Sequence, residues 1–117
     1  FSLSAFDIAS GIKPLLEIVA SVAPKNDGVI PQSLVIAPPP LARLSVLADV
    51  FAGGPALSQQ LAPHFEGIAG LFGSHFLDAG ALITSSDKDG IHFDEDQHEI
   101  LGRAVTRSVQ GIFADNP

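Results

Sequence analysis

Two side chains suited to acid–base chemistry, Asp89 and His92, lie three positions apart in the stretch "SSDKDGIHFDED", residues 85–96. Three interpretations fit this spacing. In the first, the stretch is a polar loop whose acidic residues cap a following helix. In the second, it is a calcium loop, in which acidic residues alternate before a glycine. In the third, which is catalytic, the aspartate orients the histidine as a general base. The surrounding elements discriminate among the three.

The calcium interpretation matches the stretch in part. Ser85, Asp87 and Asp89 fall at positions 1, 3 and 5 of a twelve-residue loop, and Gly90 and Asp96 fall at positions 6 and 12. Serine replaces the usual first aspartate, however, and aspartate replaces the usual bidentate glutamate. The segment before the loop also predicts a strand and not an entering helix. Calcium binding therefore stays open as the weaker alternative.

Composition narrows the class of protein. The 117 residues have a formal net charge of −7 and contain six Lys and Arg, which argues against a nucleic-acid or anionic-membrane partner. Hydrophobic residues make up 46% of the chain and charged residues 16%, so we expect a packed core and at most one domain over residues 1–117. The absence of cysteine excludes disulfides, thiolate metal sites and thiol nucleophiles, and is compatible with the cytoplasm. No apolar run reaches the roughly 18 residues of a membrane span.

Two features predict that the sequence is a processed chain or a fragment. It begins at Phe1 and contains no methionine. Its mean hydropathy of +0.35 is high for a small soluble domain. Small chains leave a large share of their surface exposed, so this excess predicts that another segment or chain covers part of the molecule.

Apolar periodicity predicts helices at three places. Residues 3–23 predict a helix with a capping box at Ser4 and Asp7, in which Pro14 marks either a kink or a true first turn. A second helix is predicted over residues 55–73, and a third follows residues 85–96, the acidic loop. The apolar face of the second helix comprises Leu57, Leu61, Phe65, Ile68 and Phe72. The apolar positions of the third are Ile100, Leu101, Ala104, Val105, Val109, Ile112 and Phe113.

Two short apolar runs, "SLVIA" (33–37) and "SHFLDAG" (74–80), predict strands that are buried on both faces of a parallel sheet. Strands that alternate with helices indicate an α/β fold, in which chemistry lies beyond the carboxyl ends of the strands. The proline run 38–40 follows the first strand and the acidic loop follows the second, so both belong to that edge. Two strands do not complete a core, and we expect the remaining strands on a missing segment or another chain.

Three blocks carry a resemblance to a known family. They are "LVIAPPPL" (34–41), "FLDAG" (76–80) and "DGIHFDEDQHEILGRAV" (89–105). In this order they resemble the last blocks of the SGNH, or GDSL, hydrolases, and particularly the arylesterase-like branch. The resemblance covers nearly the whole chain. It implies a three-layer α/β/α fold with a parallel sheet, the flavodoxin-like SGNH hydrolase fold, of which this chain supplies the C-terminal portion.

The resemblance also implies roles for the candidate pair: His92 is the general base and Asp89 orients its imidazole, without a cofactor. The family's nucleophile lies in an N-terminal Gly-Asp-Ser block, and this sequence has no such tripeptide. One oxyanion donor of the family is the asparagine of a Gly-x-Asn-Asp block. The segment "KNDG" (25–28) resembles that block, but Pro24 stands where its glycine belongs. We therefore expect an N-terminal segment or companion chain to carry the catalytic serine.

Other residues at this edge have structural interpretations beside functional ones. Pro38, Pro39 and Pro40 either end a strand rigidly or, by the resemblance, shape a substrate pocket. Asp78 is a charged residue inside an apolar strand and must be paired or hydrogen-bonded. We therefore expect it to have a structural role near the carboxyl ends of the strands, or to support the catalytic residues there, rather than to react. The acidic residues 94–96 are expected to cap the last helix.

The remaining histidines have no predicted chemistry. His64 and His98 are expected to be solvated, with a capping role as the alternative for His98, and His75 is expected to be buried and satisfied. The alternate spacing of residues 92, 94, 96 and 98 suits metal ligands on a strand, whereas this stretch begins a helix. No metal site is therefore predicted.

Two hypotheses of different classes remain. In the first, the chain is the base-carrying part of a serine esterase that acts on short-chain acyl or aryl esters, is inactive alone and forms homo-oligomers. In the second, it is a non-catalytic module that binds calcium through residues 85–96, or a protein through its open sheet edge. An accompanying segment with Gly-Asp-Ser and Gly-x-Asn-Asp would decide for the first.

Overall fold

The computed structural model describes residues 3–115 as five α-helices and two β-strands. Two 3₁₀ turns, Ala23–Lys25 and Ala79–Ala81, connect them. In chain order the elements are α1 (Ala5–Ser10), α2 (Lys13–Ser21), β1 (Leu34–Ala37), α3 (Gly54–Ser58), α4 (Leu61–Leu71), β2 (His75–Asp78) and α5 (Glu95–Asp115). The helix–strand alternation predicted from the sequence is confirmed.

The first predicted helix forms as two helices, α1 and α2. The capping box is confirmed: the Ser4 hydroxyl accepts from the Asp7 amide at 3.1 Å, and the Asp7 carboxylate accepts from the Ser4 amide at 2.9 Å. Hydrogen bonds with Ser4 lower the pKa of Asp7, and the bond with the Ser4 side chain has the largest effect. Gly11 ends α1, and Pro14 lies in the first turn of α2. Proline suits that position because it has no amide hydrogen to leave unpaired.

The second predicted helix is also divided, into α3 and α4, because the helix is interrupted at Gln59 and Gln60. The predicted apolar face is buried at its centre, where Leu61, Phe65 and Ile68 pack into the core. Phe72 lies beyond the end of α4 and is partly exposed. The prediction of one continuous helix over 55–73 was therefore wrong.

The two strands pair in parallel, with Leu34 beside His75 and Ala37 beside Asp78. In the part of the chain that the structure describes, these two strands form the whole sheet. Val35 and Ala37 are buried, whereas Ile36 points to the opposite face and is 40% exposed. All four residues of β2 are half-buried. The prediction that both strands are buried on both faces was wrong for this chain, because its packed core covers one face.

The core lies between that face of the sheet and helices α1, α2 and α4. It is built from small residues where the elements approach closely and from larger ones between them. Its buried members are Ala5, Ala9, Leu16, Val35, Ala37, Leu61, Phe65, Ile68 and Ala69. Helix α5 stands apart from this cluster and buries Ala104 and Ile112.

The molecule exposes more surface than a chain of its size usually does. Its accessible area is 7601 Å², roughly a quarter more than the ~6,000 Å² expected for a compact 12.1 kDa monomer. Its radius of gyration is 16.0 Å, against about 13 Å expected for a compact domain of this length. Large apolar side chains account for part of the difference, and Val46 is 91% exposed. Within residues 3–115, no helix combines the length and apolar character needed to cross a membrane.

Candidate active site

The acidic loop and the proline run lie at the same edge of the sheet, as the sequence predicts. Residues 38–40 follow the carboxyl end of β1, and the 3₁₀ turn Ala79–Ala81 leads from the carboxyl end of β2 toward the loop. Because Ala37 and Asp78 are partners in the parallel register, the two strands end side by side. This edge is where parallel α/β sheets bind their ligands.

Asp89 and His92 form the predicted pair. The Asp89 Oδ2 atom lies 2.5 Å from Nδ1 of His92, and Oδ1 accepts hydrogen bonds from the amides of Ile91 at 2.8 Å and His92 at 3.0 Å. These bonds lower the pKa of Asp89 to about 2, and the bond with the His92 imidazole has the largest effect. The aspartate is therefore ionised at neutral pH and oriented by three hydrogen bonds.

The imidazole of His92 is directed outward. Its side chain is 80% exposed, whereas that of Asp89 is 28% exposed. Within residues 3–115, the Nε2 atom has no hydrogen-bond partner. A ring whose Nδ1 is held by a carboxylate and whose Nε2 is free can accept a proton from a hydroxyl group that lies opposite Nε2.

Gly90 makes this geometry possible. Its φ is +80°, in the left-handed region that glycine tolerates. A Cβ atom at Gly90 would also lie 2.5 Å from the carbonyl oxygen of Arg43, closer than real Cβ contacts. The amide of Ala42 donates to the Gly90 carbonyl at 2.9 Å. The turn of the pair is thus packed directly on the segment that follows the proline run.

The proline run contacts both the loop and an apolar groove. The Ser85 hydroxyl donates to the Pro40 carbonyl at 2.9 Å. Pro38 and Pro39 line a groove of about 490 Å³ beside it, together with Leu41, Phe51 and other apolar side chains. The three prolines therefore divide into two that face the groove and one that holds the loop.

Asp78 has a structural contact at this edge. Its Oδ1 accepts from the Gly80 amide at 2.9 Å and so shapes the turn after β2. Gly80 in turn abuts the proline run, because a Cβ atom there would lie 2.9 Å from Cδ of Pro40. The described side-chain contacts of Asp78 stay within this turn. A role for it in supporting the active edge stays a prediction.

The other histidines lie away from the pair. His75 is half-buried, and its Nε2 lies 3.1 Å from Oε1 of Gln32, so it is satisfied without being fully buried. His64 packs edge-on against Phe6, with ring centroids 5.8 Å apart. His98 is exposed and packs against Phe93 at 5.4 Å between centroids. The sequence did not predict these two aromatic contacts.

Two of the residues that the calcium hypothesis uses have other partners. Ser85 donates to Pro40, and Asp89 binds His92 and two amides. Across residues 3–115, no three His, Asp or Glu side chains are grouped as metal ligands would be. Asp94 accepts from the Ser86 hydroxyl at 2.9 Å, a contact that the sequence did not predict. Residues 95 and 96, both acidic, lie in the first turn of α5 as expected.

Ser86 is a site residue that the sequence did not reveal. It is buried, and its backbone and hydroxyl both bond within the loop. Serine in a polar loop is common, and nothing in its type or spacing separates it from Ser85. A buried serine is recognisable only once the path of the loop is known.

Solved structures similar to this chain include esterases. Est24, a carbohydrate acetylesterase from Sinorhizobium meliloti, is 30% identical with a TM-score of 0.87 over 96% of this chain and 54% of its own. The aryl esterase of M. smegmatis is 31% identical with a TM-score of 0.84 over 95% of this chain and 54% of its own. No family model and no curated protein sequence matches. The chain spans about half the length of the two esterases.

Proposed function

We propose that this chain is part of an SGNH hydrolase, with that family's parallel α/β fold, and supplies the general base of a serine esterase. Its similarity to two solved esterases supports the proposal. His92 is the base and Asp89 is the residue that orients it. The observation that carries the proposal is the 2.5 Å contact between Asp89 Oδ2 and His92 Nδ1, with the other side of the imidazole exposed at the functional edge.

The mechanism follows from this orientation. A serine hydroxyl opposite Nε2 attacks the ester carbonyl while His92 takes its proton, and ionised Asp89 stabilises the imidazolium that forms. His92 then gives the proton to the departing alcohol, leaving an acyl-serine. Water then attacks the acyl group while His92 takes one of its protons. The bond between the acyl carbon and the serine oxygen breaks, His92 returns the proton to that oxygen, and the carboxylic acid leaves. Amide or side-chain donors near the serine stabilise the oxyanion at each step.

The serine and its oxyanion donors come, in this proposal, from an N-terminal segment or a companion chain. The excess of exposed surface supports such a partner, as does the length of the two esterases. Ile36 and Phe113, on the uncovered face of β1 and on α5, are apolar positions that a larger domain would bury. Association of the assembled domains into a homo-oligomer is part of the same proposal.

This partner proposal predicts the behaviour of the chain expressed alone. We expect it to self-associate or aggregate and to hydrolyse no activated ester above background, because apolar faces stay exposed and no nucleophile is in place. Size-exclusion chromatography with light scattering and an acetyl-ester assay would measure both. A monodisperse, cooperatively unfolding monomer with esterase activity would contradict the proposal.

The substrate side of the proposal rests on the apolar groove. Pro38, Pro39 and Phe51 present an apolar lining next to the segment that packs on Gly90. A small acyl or aryl group fits such a lining, whereas a charged group would lose its hydration there. Short-chain acyl or aryl esters are therefore the proposed substrates.

The decisive experiment changes the pair in the complete enzyme. We expect His92→Ala and Asp89→Asn each to lower kcat on the order of 10⁴-fold, since loss of a triad member has effects of this size. Asp87→Asn is the matched control, because Asp87 is exposed in the same loop and makes no hydrogen bond within residues 3–115. Near-normal turnover by His92→Ala would refute the assignment. Calcium binding lost in Asp87→Asn would support the alternative function instead.

A further inference from the structure

We infer that Ser86 is a positioning residue that holds His92 against Asp89, an inference that rests on the proposed function of this pair. Ser86 lies six residues before His92 and is 4% exposed. Both its backbone polar groups and its hydroxyl bond within the loop that carries the pair. A buried residue bonded in this way restricts how far the loop can move.

The backbone of Ser86 brackets the turn. Its amide donates to the carbonyl of His92 at 2.7 Å, and its carbonyl accepts from the amide of Gly90 at 2.8 Å. The segment 90–92, which carries the base, is therefore fixed to one residue at both ends. The position of the imidazole follows the position of Ser86.

The hydroxyl of Ser86 joins the turn to helix α5. It donates to Oδ1 of Asp94 at 2.9 Å and accepts from the amide of Lys88 at 3.1 Å. Asp94 directly precedes α5, so this bond anchors the loop to a 21-residue helix. The Lys88 ammonium is also 3.4 Å from the Asp94 carboxylate, but its side chain is 86% exposed and such contacts are weak. The serine hydroxyl is the stronger connection.

Removal of the hydroxyl frees two partners at once. In Ser86→Ala the Lys88 amide loses its acceptor and Asp94 loses a donor, so the loop must move before these two groups can reach water or other partners. A base displaced by about 1 Å lowers turnover on the order of 10²-fold. The groove does not include Ser86, so substrate binding keeps its contacts. We therefore expect kcat to fall about 10- to 100-fold while KM stays nearly constant.

The experiment uses the complete enzyme and two readouts. Steady-state kinetics give the kcat and KM split, and proton NMR of the His92 Nδ1–H resonance reports the short bond to Asp89 without any substrate. In Ser86→Ala we expect kcat to fall and the downfield Nδ1–H signal to weaken or shift. Ser21→Ala is the control, since it removes a hydroxyl bonded to Ile18 at the end of α2.

Variants of Asp94 keep the inference testable if Ser86→Ala does not fold. Asp94→Ala removes the acceptor of the hydroxyl, whereas Asp94→Asn keeps an oxygen in its place. We expect Asp94→Ala to reproduce the fall in kcat and Asp94→Asn to retain most of the activity. The double variant Ser86→Ala/Asp94→Ala should lose less activity than the two single losses combined, because both changes remove the same Ser86–Asp94 bond.

Two outcomes overturn the inference. One is Ser86→Ala with unchanged kcat and unchanged Nδ1–H signal. The other is a rise in KM equal to the loss in kcat/KM, which would assign Ser86 to substrate binding. Failure of the proposed function is distinct from both: it would appear as an active His92→Ala, while the NMR comparison would still report whether Ser86 holds the imidazole.

Discussion

The loop 85–94 and helix α5 are neighbours in the chain and differ in how far their interactions are completed. In the loop, Ser86 and Asp89 each make several hydrogen bonds, and both lie within ten residues of their loop partners. Helix α5 has 21 residues, yet Phe113 on its apolar side is 63% exposed. The hydrogen bonds of Ser86 and Asp89 are completed within the loop, whereas the apolar side of α5 is left partly exposed.

The contrast has a physical basis. Hydrogen bonds need correct direction and short distance, which a tight turn can supply by itself. Apolar stabilisation scales with the area removed from water and needs a second surface. The loop therefore holds the candidate base in place, while the sheet and α5 present apolar side chains that this chain does not cover.

The largest effect that would test this contrast is expected from a pair of glycine substitutions. Gly90→Ala should lower activity of the complete enzyme at least about 10²-fold, because the new Cβ atom meets the Arg43 carbonyl and displaces the base. Gly102→Ala on α5 has open space around it and should stabilise the helix by about 0.5–1 kcal/mol.

Kinetics and thermal unfolding of the two variants would check the glycine prediction. If the two substitutions changed activity and thermal stability equally, the loop would be no more constrained than the exposed helix. An active Gly90→Ala would remove the argument that the turn sets the position of His92.

The second effect compares two isoleucines. Ile68 is 3% exposed in the core, so Ile68→Ala should lower the free energy of unfolding by about 2–5 kcal/mol wherever the chain folds. Ile36 is 40% exposed, and Ile36→Ala should cost much less in this chain than in the complete protein. Denaturant unfolding with and without the proposed partner would measure the difference. If Ile36→Ala lowered the free energy of unfolding equally with and without the partner, the partner would not cover the Ile36 face of the sheet.

The smallest effect concerns pH and is confined to the loop. The pKa of Asp89 is lowered in the folded chain to about 2 from 3.8. The bonds to ionised Asp89 therefore stabilise the fold fully above pH 3.8, and this contribution is lost as pH falls through about 2. Carbon-13 NMR of the carboxyl group should give a midpoint near 2. A midpoint near 3.8 would show that the bond to His92 does not persist in solution.

The sequence was informative where a short motif contains its own geometry. The spacing of Asp89 and His92 predicted their contact, and the Ser4–Asp7 capping box predicted the start of α1. The strands were also predictable from their short apolar runs, and their parallel order from the alternation of strands with helices. In each case the partners are close in sequence or share a strong local pattern.

The sequence was less informative where distant parts of the chain meet. The interruption at Gln59 and Gln60 was missed because the apolar periodicity continues across it, although Pro63 has no amide hydrogen to donate to the Gln59 carbonyl. The exposure of Ile36 depends on which surfaces cover the sheet, and the composition of a strand does not predict those surfaces. Ser86 was missed because its burial arises only when the loop closes. The exposure of Ile36 and the burial of Ser86 belong to tertiary packing and not to any window of the sequence.

The contact between Ser85 and Pro40 has a consequence for the time course of folding. The two residues are 45 positions apart, so the bond forms only after a long chain segment has closed. Turns of about ten residues close within tens of nanoseconds, whereas pairing of distant parallel strands is far slower. The turn that carries Asp89 and His92 can therefore form before the two strands pair and create the edge of the sheet. We expect the base to be oriented before the groove beside it exists.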